Sequence, residues 1–136
     1  LTFPFAYNSD CRGHGIFYPV VDGQQLPQPQ IPVTLPTYDE TIGRDGITNE
    51  SYNDHILSLI RPDRLNVLTI HAEVEGGVCR GMFAAFLERA RVRGIRPVHL
   101  GALLETAGIG PDEMIRGTMP GREGWISRQR EVNTNA

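Results

Sequence analysis

The run Asn66-Val67-Leu68-Thr69-Ile70-His71 limits the folds open to this chain more than any other segment. It is β-branched and almost continuously apolar, the pattern of a strand buried on both faces. Strands of that kind belong to parallel sheets covered by helices. The flanking segments supply the helices. Before the run, Tyr52, Ile56, Leu59 and Ile60 recur at helical spacing. Thr48-Asn49-Glu50 reads as the start of that helix, with Asn49 as its cap, and Pro62 as its stop. After the run, Gly76-Gly77 ends the extended stretch. Val78, Met82, Phe83, Phe86, Leu87 and Ala90 then mark an amphipathic helix. Arg80, Glu88, Arg89 and Arg91 form its wet side, and Gly94 closes it.

The ends of the chain extend the alternation. Phe5-Ala6-Tyr7-Asn8 reads as a short strand running into the polar turn Ser9 to Gly13. Arg96-Pro97-Val98-His99-Leu100 reads as another strand, and Ala102 to Ala107 as a short helix closed by Gly108. Between Ile16 and Pro36 the chain is rich in Pro and Gln. Ile31 to Pro36 alternates, but its prolines lack ladder donors, so it is an edge strand or an extended loop. The whole connection reads as a lid or a substrate-binding excursion. The order of elements predicts an α/β fold with a parallel sheet. With only about three strands, such a sheet keeps open edges and an uncovered apolar face. The first residue is Leu1, and Leu1 to Tyr7 reads as the approach to a strand. Residues 1–136 are therefore expected to be part of a single larger domain.

Composition excludes several functions. A net charge of −3 over 136 residues argues against non-specific nucleic-acid binding. No apolar run approaches the roughly 20 residues of a membrane span. Cys11 and Cys79 show no CxxC spacing and read as free thiols. All 13 basic residues are Arg. Arg suits bidentate recognition of phosphate, although a genomic compositional bias explains the same count.

Reactive groups in a parallel α/β fold gather at the C-terminal ends of strands. Asp10 follows the first strand and His71 ends the central one. His71 suits general acid–base work, metal ligation or a structural role. Asp10 either orients that imidazole or caps its own turn. If the strand geometry continues past His71, then His71, Glu73 and Glu75 share a face. They would spread over roughly 13 Å, too wide for one metal ion. Arg12, Arg122 and Trp125 could hold a phosphate and stack on a sugar, or simply anchor polar loops. No phosphate-binding glycine loop, nucleophile elbow or HExxH is present.

Four segments carry a family resemblance: Tyr7 to Gly13, Gln30 to Thr37, Thr69 to Gly76 and Gly121 to Trp125. In this order they resemble the 4-deoxy-4-formamido-L-arabinose-phosphoundecaprenol deformylases, a branch of the NodB-like polysaccharide deacetylases. The match runs from about Ala6 to Ser127. It implies the C-terminal half of a distorted (β/α)7 barrel, with the N-terminal metal-binding half absent. It implies a divalent metal, usually zinc, in the intact protein and none in this part. The implied reaction removes an N-formyl group from an aminoarabinose on undecaprenyl phosphate, at the cytoplasmic face of the bacterial inner membrane. That step serves lipid A modification and polymyxin resistance.

Leu68-Thr69-Ile70-His71 matches the superfamily's late histidine motif, which makes His71 the proton donor. Ser9-Asp10-Cys11 matches its acidic motif, which makes Asp10 the partner of His71; Cys11 replaces the aromatic usual there. Read from the residues themselves, Arg12, Glu73, Glu75, Arg122 and Trp125 are the candidate substrate contacts. No HxxxH occurs among His14, His55, His71 and His99. Three other readings remain open: a phospho-sugar- or lipid-binding module without catalysis, another polysaccharide N-deacetylase, and a stand-alone enzyme with a metal at His71, Glu73 and Glu75.

Overall fold

A computed structural model describes residues 3–105, 108–120 and 122–131. They form two compact units. One combines Leu1–Thr34 with His99–Ala136, and the other is the continuous stretch Leu35–Val98.

The first unit is built on a four-stranded sheet in the order β2-β1-β3-β4. Strand β1 is Phe17–Val21 and β2 is Gln24–Gln25. They form a hairpin in which Val21 faces Gln24. The two-residue turn is Asp22-Gly23, with φ of 50° and 77°. An Asp-Gly pair with both φ values positive matches the right-handed twist of the flanking strands. Strand β3, Gly110–Gly117, runs parallel to β1, with Phe17 opposite Gly110. Strand β4, Ile126–Gln129, returns antiparallel to β3. The Pro- and Gln-rich stretch expected to be a long connection therefore contains the central strand. Phe17 and Pro19 of β1 are buried, along with Cys11, Ile31 and Pro32.

Gln129 ties this unit together. Its side-chain oxygen accepts the backbone N–H groups of His14 (3.0 Å) and Gly15 (3.2 Å). Its amide donates to Asp112 at 2.8 Å. Gly13 leaves room for that side chain: a Cβ there would lie 2.6 Å from the Gln129 oxygen and 2.9 Å from Pro32 Cβ. We expect Gly13→Ala to lower stability by about 1–3 kcal/mol through overpacking. Urea unfolding of the chain checks it, and an unchanged midpoint would show that Gln129 can move aside.

The second unit is helical. Helix α1 is Tyr38–Thr41, α2 is Asn49–Leu59 and α3 is Arg80–Val92. Helix α2 is capped by Thr48, one residue before the expected Asn49, and it stops short of Pro62 as expected. Helix α3 closes at Gly94, which has φ 75°. Leu35, Tyr52, Ile56, Leu57, Phe86 and Ala90 form the core. Asn53 donates to the Met82 carbonyl at 2.9 Å, and Arg89 pairs with Asp54, so α2 and α3 are also held by polar contacts.

Asn66 to His71 forms no sheet strand. The Val67 carbonyl accepts the Leu35 N–H at 3.0 Å, and Ile70 is 46% exposed. The expected strand at Arg96 to Leu100 is also without a ladder, and Leu100–Glu105 is a 3₁₀ helix. The expected short helix there extends to Thr106 and Ala107, outside the described residues. Asn8 makes a single parallel bridge to Gln30 in place of a strand at Phe5 to Asn8. The fold is thus mixed α/β with a partly parallel sheet.

Candidate functional site

His71 sits at the end of the apolar segment, just before a helical turn. Its carbonyl accepts the N–H groups of Val74 (3.0 Å) and Glu75 (2.9 Å). A π-helical turn over Val74–Val78 follows and leads through Cys79 into α3. The strand geometry therefore does not continue to Glu75, and the expected common face of His71, Glu73 and Glu75 is replaced by a fold-back. The physical reason is the pair of bonds to the His71 carbonyl, which bends the backbone at Ala72 and Glu73. Glu75 comes back under His71 and accepts its backbone N–H at 2.7 Å.

That acceptor is 2% exposed. Its other oxygen is buried without a hydrogen-bond partner, as is the Tyr52 hydroxyl. A buried polar atom without a partner is costly and marks a constrained site. Burial, then the Glu75 and Asp39 carboxylates, push the Tyr52 phenol above its ordinary value. A hydrogen bond with Cys79 is the first cause that raises Tyr38, whose hydroxyl donates to Asn49 at 2.6 Å. Both phenols therefore keep their protons at neutral pH. Their rings pack edge-on, with centroids 5.3 Å apart.

Asp39 completes the group. Helix α1 begins at a capping box in which Glu40 accepts the Thr37 N–H at 2.9 Å. This places Asp39 in the first turn, where the Thr37 hydroxyl donates to its Oδ1 at 2.6 Å. The same oxygen lies 3.9 Å from His71 Nδ1. The structure thus brings His71 together with Glu75 and with Asp39. Sequence reasoning missed Thr37, Asp39, Tyr38 and Tyr52. One local signal existed, the Thr37-x-x-Glu40 capping pattern.

The other expected residues occupy different surroundings. Asp10 belongs to the first unit, where its carboxylate accepts from the Gln30 amide at 2.7 Å. Arg12 is stitched in by its backbone, donating to Ser127 (3.0 Å) and accepting from Gln129 (2.7 Å). Trp125 is 58% exposed, with the Arg116 guanidinium 4.4 Å above its ring. Arg122 is exposed and donates its N–H to Met119. Glu73 is exposed. Burial, then the neighbouring Asp10 charge, pushes the Cys11 thiol up to about 12, so it stays protonated and unreactive at neutral pH.

Among the described residues no group of three or more His, Cys, Asp or Glu could hold a metal ion. Nor is any described helix long and apolar enough to cross a membrane. What this site offers is a half-exposed imidazole on a backbone held by a buried carboxylate.

Known proteins match closely in sequence. A protein of Shewanella sediminis (strain HAW-EB3), named probable 4-deoxy-4-formamido-L-arabinose-phosphoundecaprenol deformylase ArnD, is 49% identical over 132 residues, 96% of this chain and 42% of its own length. A Wigglesworthia glossinidia brevipalpis protein of the same name is 41% identical over 134 residues, 96% of this chain and 46% of its own length. The chain therefore spans a little under half the length of these curated relatives. No protein-family profile matches it.

Proposed function

We propose, on the premise that this chain is a homologue of the 4-deoxy-4-formamido-L-arabinose-phosphoundecaprenol deformylases, that it forms the C-terminal part of such an enzyme and supplies its proton donor. The substrate is then a formamido-arabinose carried on undecaprenyl phosphate, and the products are formate and the free amine. On this reading the protein serves lipid A modification and polymyxin resistance, at the cytoplasmic face of the inner membrane. The observation that carries the reading is the position of His71, within a segment that resembles the family's histidine motif and held by Glu75 at 2.7 Å.

Cleavage of an amide needs a proton on the leaving nitrogen, and an imidazole is suited to deliver it near neutral pH. Asp10 is the second catalytic residue of this reading. Arg12, Arg122, Trp125 and Glu73 are the proposed contacts to the phospho-sugar. Glu75, the fifth candidate contact, instead holds the His71 backbone N–H. On this reading the divalent metal that activates water in the superfamily is held by the part of the enzyme that this chain does not span. The described residues offer no group of three or more His, Cys, Asp or Glu that fits it.

The 136-residue chain alone is expected to retain no equimolar zinc through dialysis and to release no formate. A full-length enzyme carrying this sequence should do both. Zinc and turnover in the chain alone would overturn the assignment. Substrate binding without any turnover by the full-length protein would favour a phospho-sugar-binding module instead.

A further inference from the structure

Two buried carboxamides of the first unit, Gln30 and Gln129, each donate to a carboxylate, but they differ at the other end. Gln129 donates to Asp112 at 2.8 Å, and its oxygen accepts the His14 and Gly15 N–H groups. Gln30, 4% exposed, donates to Asp10 Oδ1 at 2.7 Å. Its own oxygen is buried with no hydrogen-bond partner among the described residues. We infer that Gln30 is a positioning residue for Asp10: it fixes one carboxylate oxygen so that the other keeps a set direction for the proposed reaction. The inference rests on reading Asp10 as catalytic.

The backbone around Gln30 makes it a fixed donor. Its N–H donates to the Phe17 carbonyl (2.8 Å), and its carbonyl accepts the Phe17 N–H (3.2 Å). On the other side the Ile31 N–H donates to Asn8 (2.8 Å) and the Asn8 N–H to Pro29 (2.9 Å). The segment that leads into Asp10 is thus tied to the one that carries Gln30. A carboxylate only accepts, so the amide nitrogen must face Asp10 and the oxygen must face away. That orientation leaves the oxygen unpaired, at a cost similar in size to the gain from one bond to a charged group. Stability therefore does not account for a carboxamide at position 30, whereas a fixed Asp10 does. Asp10 is exposed, so without this donor its side chain would rotate in solvent.

The first test is hydrogen exchange of side-chain amides, followed by NMR in the 136-residue chain. Asp10→Ala, at an exposed position, should speed exchange of the Gln30 side-chain amide about fivefold, the protection that one net hydrogen bond gives. The Gln129 side chain, held by Asp112, should exchange as before. The second test is a double-mutant cycle in a full-length enzyme that carries this sequence. Gln30→Met keeps the length of the side chain and removes the donor together with the unpaired oxygen. Its urea midpoint should equal or exceed that of the parent. Its kcat should fall about 10–100-fold with little change in KM, the scale of a misplaced reacting group. In an Asp10→Ala background Gln30→Met should cost no further turnover. Unchanged Gln30 exchange in Asp10→Ala, full turnover in Gln30→Met, or additive losses in the double variant overturns the inference. A Gln30→Met enzyme that unfolds also overturns it, since the carboxamide then serves the fold. Full turnover in Asp10→Ala sinks the catalytic reading of Asp10, and this inference with it, even where the exchange experiment succeeds.

Discussion

Replacing His71 by alanine in a full-length enzyme that carries this sequence is expected to lower turnover by about 10²–10⁴-fold, the usual contribution of a positioned general acid. Zinc content should not change, because the proposed role is proton donation and not ligation. The argument rests on how His71 is held. Glu75 bonds to its backbone N–H at 2.7 Å, a contact that alanine retains. The ring itself is substantially exposed, so its removal opens no large cavity. The loss should therefore appear as reduced kcat in a folded protein. Metal analysis and formate release, measured on the same preparation, decide the matter. Loss of zinc along with activity would make His71 a ligand, and unchanged turnover would remove it from the chemistry.

Ile56→Ala should be the most damaging single change to the helical unit, at about 2–5 kcal/mol. Ile56 is fully buried and sits among Leu35, Tyr52, Leu57, Phe86 and Ala90. Truncation removes three carbons from a dense core that cannot fully collapse around the space. With a urea dependence of roughly 1–3 kcal/mol per molar for a small protein, the midpoint should fall by about 1–2 M. Ile56→Val, which removes one carbon, should cost about 0.5–1.5 kcal/mol. Equal, small losses for both variants would mean that this core is loosely packed.

Local signals made the helices legible in the sequence. Apolar spacing with Pro62 placed α2, and apolar spacing with Gly94 placed α3, because these cues act within one or two turns of the chain. The strands were not legible. Strand β1 contains Pro19, which disguised it, although the Asp22-Gly23 pair beside it is a hairpin signal. Strand β3 reads Gly110-Pro111-Asp112-Glu113, residues that disfavour strands, and it forms because β1 and β4 flank it. No sequence window contains all three. Asn66 to His71 has strand composition but forms no sheet strand, because a strand also needs a neighbour that composition does not specify.

His71 was legible as a candidate by its place at the end of an apolar run. Its company was not. Alternation along a strand put Glu75 on an extended face, whereas two hydrogen bonds to the His71 carbonyl turn the chain and bury it. Asp39 lies far away in sequence, and only the fold brings it near.

Strands β1 and β3 come from opposite ends of the chain, while Leu35–Val98 is one unbroken stretch. A ribosome delivers these parts in order. The helical layer has all its core residues in hand while β1, paired with β2 along one edge, still waits on its other edge for a partner not yet translated. Late arrival of Gly110–Gly117 thus leaves the β3-facing side of β1 as an open edge of the nascent protein, and makes the β1–β3 ladder the slow, non-local closing event of folding.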